Sequence, residues 1–162
     1  MTTKEHAFRI LKFARKNTLA FAEDVPDDKL CWQPFAGANH VLWNLGHLAS
    51  SDDWAVTVLD PSAKMDERYM KVFGSGSTPS PDPKAYPSRS EVLGCLAQAH
   101  GRFLAAIERQ SEADLALATA AELKDFAPTR MALLFAMACH EGTHQGQILA
   151  CRKALGMKPK FM

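Results

Sequence analysis

The chain has 162 residues, of which 47% are apolar and 23% charged, with a net charge of +1 at neutral pH. That length supports one domain whose core needs no disulfide, and the balance is that of an ordinary globular protein. A near-zero charge without a basic cluster argues against nucleic acid and anionic membrane surfaces, and no apolar run approaches the length of a membrane span.

Four segments carry a helical period, and none reads as a strand. From about Lys4 to Ala22, the residues Phe8, Leu11, Leu19 and Ala22 fall near one stripe, with Ile10 and Phe13 beside it and lysine and arginine elsewhere. Pro26 marks the stop. After the loop Cys31-Trp-Gln-Pro-Phe-Ala-Gly-Ala38, Asn39 is the expected N-cap of a second helix running from His40 to about Leu59. Its stripe of His40, Trp43, His47, Trp54 and Val58 mixes large apolar and polar residues, as a site inside a bundle would.

Between Pro61 and Pro87 the stretch Gly74-Ser-Gly-Ser-Thr-Pro-Ser-Pro-Asp-Pro83 cannot sustain a helix, so this part reads as a long crossover. Ser88-Arg-Ser-Glu91 matches a capping box and opens a third helix to about Arg109, with a short turn expected at Ser111 to Leu115. The fourth helix begins near Pro128 and ends at Gly156. The expectation is an all-α four-helix bundle, one domain over residues 1–162, with a long crossover between the second and third helices.

The fourth helix holds the most informative pair, His140 and His144. Four residues turn a helix about 40° past one full turn, so both imidazoles share a face. Two neutral imidazoles at that spacing can share one borderline metal ion. The nine residues Met131 to Cys139 before them are all apolar, so the pair enters from a buried-looking stretch. Two ligands are too few for a catalytic site, which takes about three and leaves a position open. His6, His40, His47, His100 and the carboxylates are candidates for the third. His47 is the best placed, in mid-helix among apolar neighbours, while His40 lies about 10 Å along the axis and would sit at the rim.

Trp32-Gln-Pro34, Asn39-His-Val-Leu-Trp-Asn-Leu-Gly-His-Leu-Ala49, His140-Glu-Gly-Thr-His-Gln-Gly-Gln147 and Leu155-Gly156 together resemble the DinB/YfiT-like superfamily in order and spacing. The resemblance implies a four-helix bundle holding one divalent metal on His47, His140 and His144, and pairing into a homodimer through helix faces. Imidazole donors suit zinc, nickel, iron and copper alike, and the expected ion is zinc or nickel, then iron. Members of that superfamily include transferases that add bacillithiol or mycothiol to electrophiles, a mycothiol-dependent maleylpyruvate isomerase, and proteins regarded as metal-dependent hydrolases. The implied function is activation of a low-molecular-weight thiol or a water against a small-molecule electrophile. The alternatives are a non-catalytic metal- or small-molecule-binding stress-response protein, and a bundle with empty histidines that serves dimeric interaction.

Around the pair, Gln147 and Asn44 are read as groups that orient an imidazole or as helix-packing amides. Gly142 and Gly146 are expected where a neighbouring helix comes close. Glu141, about 100° round from His140, is a poor ligand but a candidate base at the rim. Trp43 and Trp54 are expected in the core. The four cysteines, Cys31, Cys95, Cys139 and Cys151, contain no Cys-x-x-Cys pair and are expected reduced and mostly buried. Cys151 has nothing near it in sequence to lower its pKa. The start Met1-Thr-Thr-Lys-Glu-His6 lacks a signal-peptide pattern, so a cytoplasmic location is expected.

Overall fold

Capping fixes where the helices begin. In the computed structural model, which describes residues 1–160, Thr2 and Glu5 close a capping box ahead of α1 (Thr3–Ala22), and Ser88 and Glu91 do the same ahead of α4 (Arg89–Arg109). The N-cap of α2 (Val41–Leu59) is His40 and not Asn39: its Nδ1 accepts the Trp43 amide at 3.1 Å. Inside the crossover, Asp66 accepts two backbone amides and starts a short helix, α3 (Glu67–Phe73). No periodic apolar stripe announces so short a piece. Then α5 (Glu112–Leu115) and α6 (Arg130–Ala154) follow, the last ending at Gly156, whose φ of +72° is the left-handed conformation that glycine adopts freely. The described residues contain no strand, and no helix among them is long and apolar enough to cross a membrane.

Helices α1, α2, α4 and α6 form the four-helix bundle, with α2 packed along α4 and α6, and α1 along α6. Side-chain pairs give the directions. Asp52 meets His100 and Asp53 meets Arg102, so α2 and α4 run parallel. Arg15 meets Glu141 and Arg152 reaches the Phe21 carbonyl, so α1 and α6 run parallel too. Asn44 meets His144 and Asn39 meets Gln147, so α2 and α6 are antiparallel. The chain therefore has to travel back the length of α2, about 28 Å, before α4 can start in the same direction. That return is why the connection over residues 60–88 is long.

The core consists of two apolar clusters. One gathers Phe21, Leu45, Phe73, Leu96 and Ile148, and the other Leu11, Val56, Phe103, Leu133 and Leu134. In each helix the residues between the two clusters are polar and buried, Arg15 and Thr18, Asp52, His100, Glu141 and His144, and His47 joins them from within the first cluster. These lie level with one another at mid-height of the bundle. On α1 the buried stripe is Ala7, Leu11, Arg15, Thr18 and Ala22, while Ile10, Phe13 and Leu19 face outward. The simple apolar-inside reading of α1 fails there because Arg15 and Thr18 serve the polar layer.

Candidate metal centre

The mid-height layer brings His47 of α2 together with His140 and His144 of α6, the three ligand nitrogens lying within 4.8 Å of one another, a group that could hold a metal ion. His140 Nε2 is 3.2 Å from His47 Nε2 and 3.0 Å from His144 Nε2. Two nitrogens on a tetrahedral ion with bonds of about 2.1 Å stand about 3.4 Å apart, so the spacing suits a shared ion. His6 is exposed on α1, His40 caps α2, and His100 bonds Asp52 at 2.9 Å, so none of these joins the group. His40 lies fully buried and not at the rim.

The outer nitrogens set the tautomers. His47 Nδ1–H donates to the Phe73 carbonyl at 2.6 Å, which leaves Nε2 with a lone pair. That carbonyl comes within reach because Gly46 has no side chain: a Cβ there would lie 2.4 Å from the Phe73 ring. His144 Nδ1–H donates to Asn44 Oδ1 at 2.6 Å, with Gln147 Oε1 3.1 Å away. The Asn44 amide cannot be reversed, since its Nδ2 donates to the carbonyls of Asn39 and His40. Both inward Nε2 atoms are therefore acceptors. One proton on His140 Nε2 cannot satisfy both, and His140 Nδ1 is buried without a partner. The protein alone offers no complete hydrogen-bond solution for this trio, whereas a cation would take all three lone pairs.

Burial also keeps the rings neutral. His140 is pushed down to about 4 by desolvation and then by the nearby His47, against an opposing pull from Asp52. His144 falls to about 3 through burial and then through His140 and His47. His47 is lowered by burial, with the Phe73 carbonyl acting the other way. At neutral pH no proton competes for these nitrogens.

Trp43 lies flat on His47, 4.6 Å between centroids at 9°, and its indole N–H donates to Ser77 Oγ at 3.0 Å. Trp54, expected in the core, is half-buried and leans on Phe126, 6.1 Å between centroids. It lines a cleft of about 430 Å³ that opens onto His47 and His140 and is shared by α2, α6, α3 and the connection before α6.

Several readings around the trio change. Glu141 is 2% exposed and faces α1, not the cleft rim. It accepts from Arg15 Nε–H at 2.7 Å and from the Thr18 hydroxyl at 2.7 Å, and Arg15 also reaches Asp52 at 3.1 Å. Gly142 and Gly146 are exposed and no neighbouring atoms would meet a side chain there, so the close approach belongs to Gly46. Cys151 is buried and its thiol pushed up by desolvation, which removes it as a nucleophile. All four cysteines are free, with Cys31 and Cys151 buried and Cys139 exposed. The Arg15–Asp52–Glu141 network was not visible as such in the sequence. The spacing Ala7, Leu11, Arg15, Thr18 was its one signal, an arginine in register with the buried stripe.

An up-down-down-up bundle with three convergent neutral imidazoles at mid-height defines a helical-bundle protein whose site is compatible with a divalent metal. Sequence comparison agrees. The family model of the DinB superfamily matches residues 10–148, and the chain belongs to that superfamily. A crystal structure described as the conserved protein of a locus from Enterococcus faecalis is similar over 96% of this chain and 99% of that one, with a TM-score of 0.78 and 16% identity. At that identity the likeness shows the shared fold. No curated protein matches the chain.

Proposed function

We propose that His47, His140 and His144 hold one divalent metal ion, zinc or nickel before iron, and that the chain is a metal-dependent enzyme acting on a small electrophile, with a thiol or water as nucleophile. The observation that carries this reading is the convergence of three Nε2 atoms, two of them fixed as lone-pair donors by Phe73 and Asn44. When bound, a divalent ion on three neutral imidazoles keeps its full charge and lowers the pKa of a thiol or water beside it. The protein's part is to orient. Asn44 and Gln147 hold the His144 ring, the Phe73 carbonyl and Trp43 hold His47, and the cleft at His47 and His140 admits substrate.

Among the described residues, no carboxylate or cysteine joins the three histidines in the group. Three protein ligands beside an open cleft favour an enzyme over a storage or binding protein, which would gain from a closed shell. A homodimer belongs to the same proposal, supported by Ile10 and Phe13 on α1 and Phe135 on α6, large apolar side chains left exposed on two adjacent helices. Protein purified without a nickel column should contain close to one equivalent of metal, and His140→Ala or His144→Ala should lose it. Metal-free protein whose stability is indifferent to chelator would refute the site. Turnover of a neutral electrophile, tested with and without a panel of small thiols, separates transferase from hydrolase.

A further inference from the structure

We propose that the substrate of this site is an uncharged, largely apolar small molecule that lies against Trp54 and Phe126 and presents its one polar group toward His140 and Ser51. This rests on the reading of the three histidines as the reactive centre. Among the described residues, the cleft that reaches His47 and His140 has no charged side chain in its wall. Leu123, Met70 and Met137 form its apolar surface together with Trp54 and Phe126, and the volume of about 430 Å³ suits a small organic molecule.

Besides Ser75, the serines in the wall are Ser50 and Ser51, and both bond His47. Ser50 spends its hydroxyl on the His47 carbonyl at 2.9 Å. Ser51 Oγ is 3.4 Å from His47 Nε2 and has no other partner, so an ion that takes that lone pair frees the hydroxyl to meet a substrate oxygen or nitrogen. Further out, Phe126 is 50% exposed and stacks at a tilt on Trp54, giving a mouth that an aromatic or aliphatic body would cover. Against Trp54 and Phe126, away from the three histidines, a carboxylate, phosphate or ammonium on that body would lose water without gaining a partner. Charged parts of a co-reacting thiol have to remain outside, in solvent.

A matched fluorescent pair tests this: N-phenyl-1-naphthylamine, which is neutral, and 8-anilinonaphthalene-1-sulfonate, the same rings with an anionic group. Both are titrated into metal-loaded and chelator-stripped protein. In chelator-stripped protein, where no ion offers the sulfonate a partner, the neutral probe should bind about tenfold or more tightly than the sulfonate. Trp54→Ala and Phe126→Ala should each weaken the neutral probe by about tenfold, as loss of an aromatic wall predicts. Phe126 stands half in solvent on a connection, so its variant keeps the fold even if Trp54→Ala does not. Leu123→Lys should close the gap by favouring the sulfonate. Equal affinity for the two probes, failure to bind the neutral one, or neutral binding untouched by both aromatic variants overturns the proposal. Metal content is measured on the same samples, so a protein that retains no metal yet discriminates the probes refutes the metal reading and leaves the cleft assignment standing.

Discussion

Replacing Asn44 tests whether the hydrogen bond behind a ligand histidine sets its affinity for metal. Asn44 is fully buried, and its Oδ1 accepts the His144 Nδ1–H at 2.6 Å. Losing such an outer partner costs about 10–100-fold in metal affinity, or about 1.4–2.8 kcal/mol. Here the lower end applies, because Gln147 Oε1 already lies 3.1 Å from the same nitrogen and can take over as acceptor. Asn44→Ala should therefore weaken metal binding about tenfold. Gln147→Ala alone should cost less, since the shorter bond to Asn44 remains, while the double variant should approach about a hundredfold. The combined loss exceeds the product of the singles, as expected of two groups that share one partner. Competition against a chromogenic zinc chelator, on stripped protein reloaded with one equivalent, reads all four affinities. The fold should survive: the carbonyl of His40 that loses the Asn44 side chain still accepts the Asn44 backbone amide. A folded Asn44→Ala protein with unchanged affinity, or a double variant no worse than Asn44→Ala, would refute the reasoning.

Arg15→Met should cost about 3–5 kcal/mol in denaturant unfolding, because it strands two carboxyl groups that are almost wholly buried. Adding Glu141→Leu should recover much of that loss, and a double variant as unstable as the single would exclude unpaired charge as the cause. Gly46→Ala should cost about 1–3 kcal/mol by driving a methyl into the Phe73 ring. It should also weaken metal binding, since the displaced residue carries the carbonyl that fixes His47; a tolerated alanine with full affinity argues against both. The metal-free protein should lose stability as pH falls from about 6.5 toward about 4. His140 and His144 titrate at about 4 and about 3 when folded, against 6.5 as the ordinary value, so the unfolded chain binds more protons in that window. Their stabilising contribution is complete above 6.5 and gone below the folded values. Thermal melts over that range, flattened in a His140→Gln/His144→Gln variant, check the sign.

The four long helices were legible because capping boxes, prolines and terminal glycine act locally, and because the i, i+4 pair His140/His144 needs only helix geometry to share a face. His47 could be nominated from its mid-helix setting, but placing it beside the pair needed α2 and α6 to lie antiparallel in one register. That register is fixed by long-range pairs such as Asn39 with Gln147, which no local rule predicts. Residue type alone points Arg15 to solvent, yet its partners Asp52 and Glu141 come from two other helices. His40, which axial distance places at the rim, is the buried N-cap of α2. The cleft was the least legible part. Met70, Leu123 and Phe126 sit on segments whose sequence gives no period; Met70 reaches the site on the return path that parallel α2 and α4 require, and Leu123 and Phe126 on the connection between α5 and α6.

Two polar systems of different character thus occupy one layer, separated by a single residue step on α6. His140 turns toward α2 and the cleft, and Glu141, about 100° further round, turns toward α1 and Arg15. The neutral side has hydrogen-bond partners outside for His47 and His144 and lone pairs inside, an arrangement that a cation would complete. On the charged side Arg15 reaches both carboxylates, and Thr18 and His100 share the Glu141 Oε1 and Asp52 Oδ2 atoms that it bonds. Asp52 nonetheless acts on His140 through the low-dielectric interior, in the direction that favours positive charge at the trio. A polar layer that splits the apolar core is costly unless it is fully paired. One half of this layer is paired by the protein except at His100 Nε2, and the other half presents three imidazoles that could hold a metal ion.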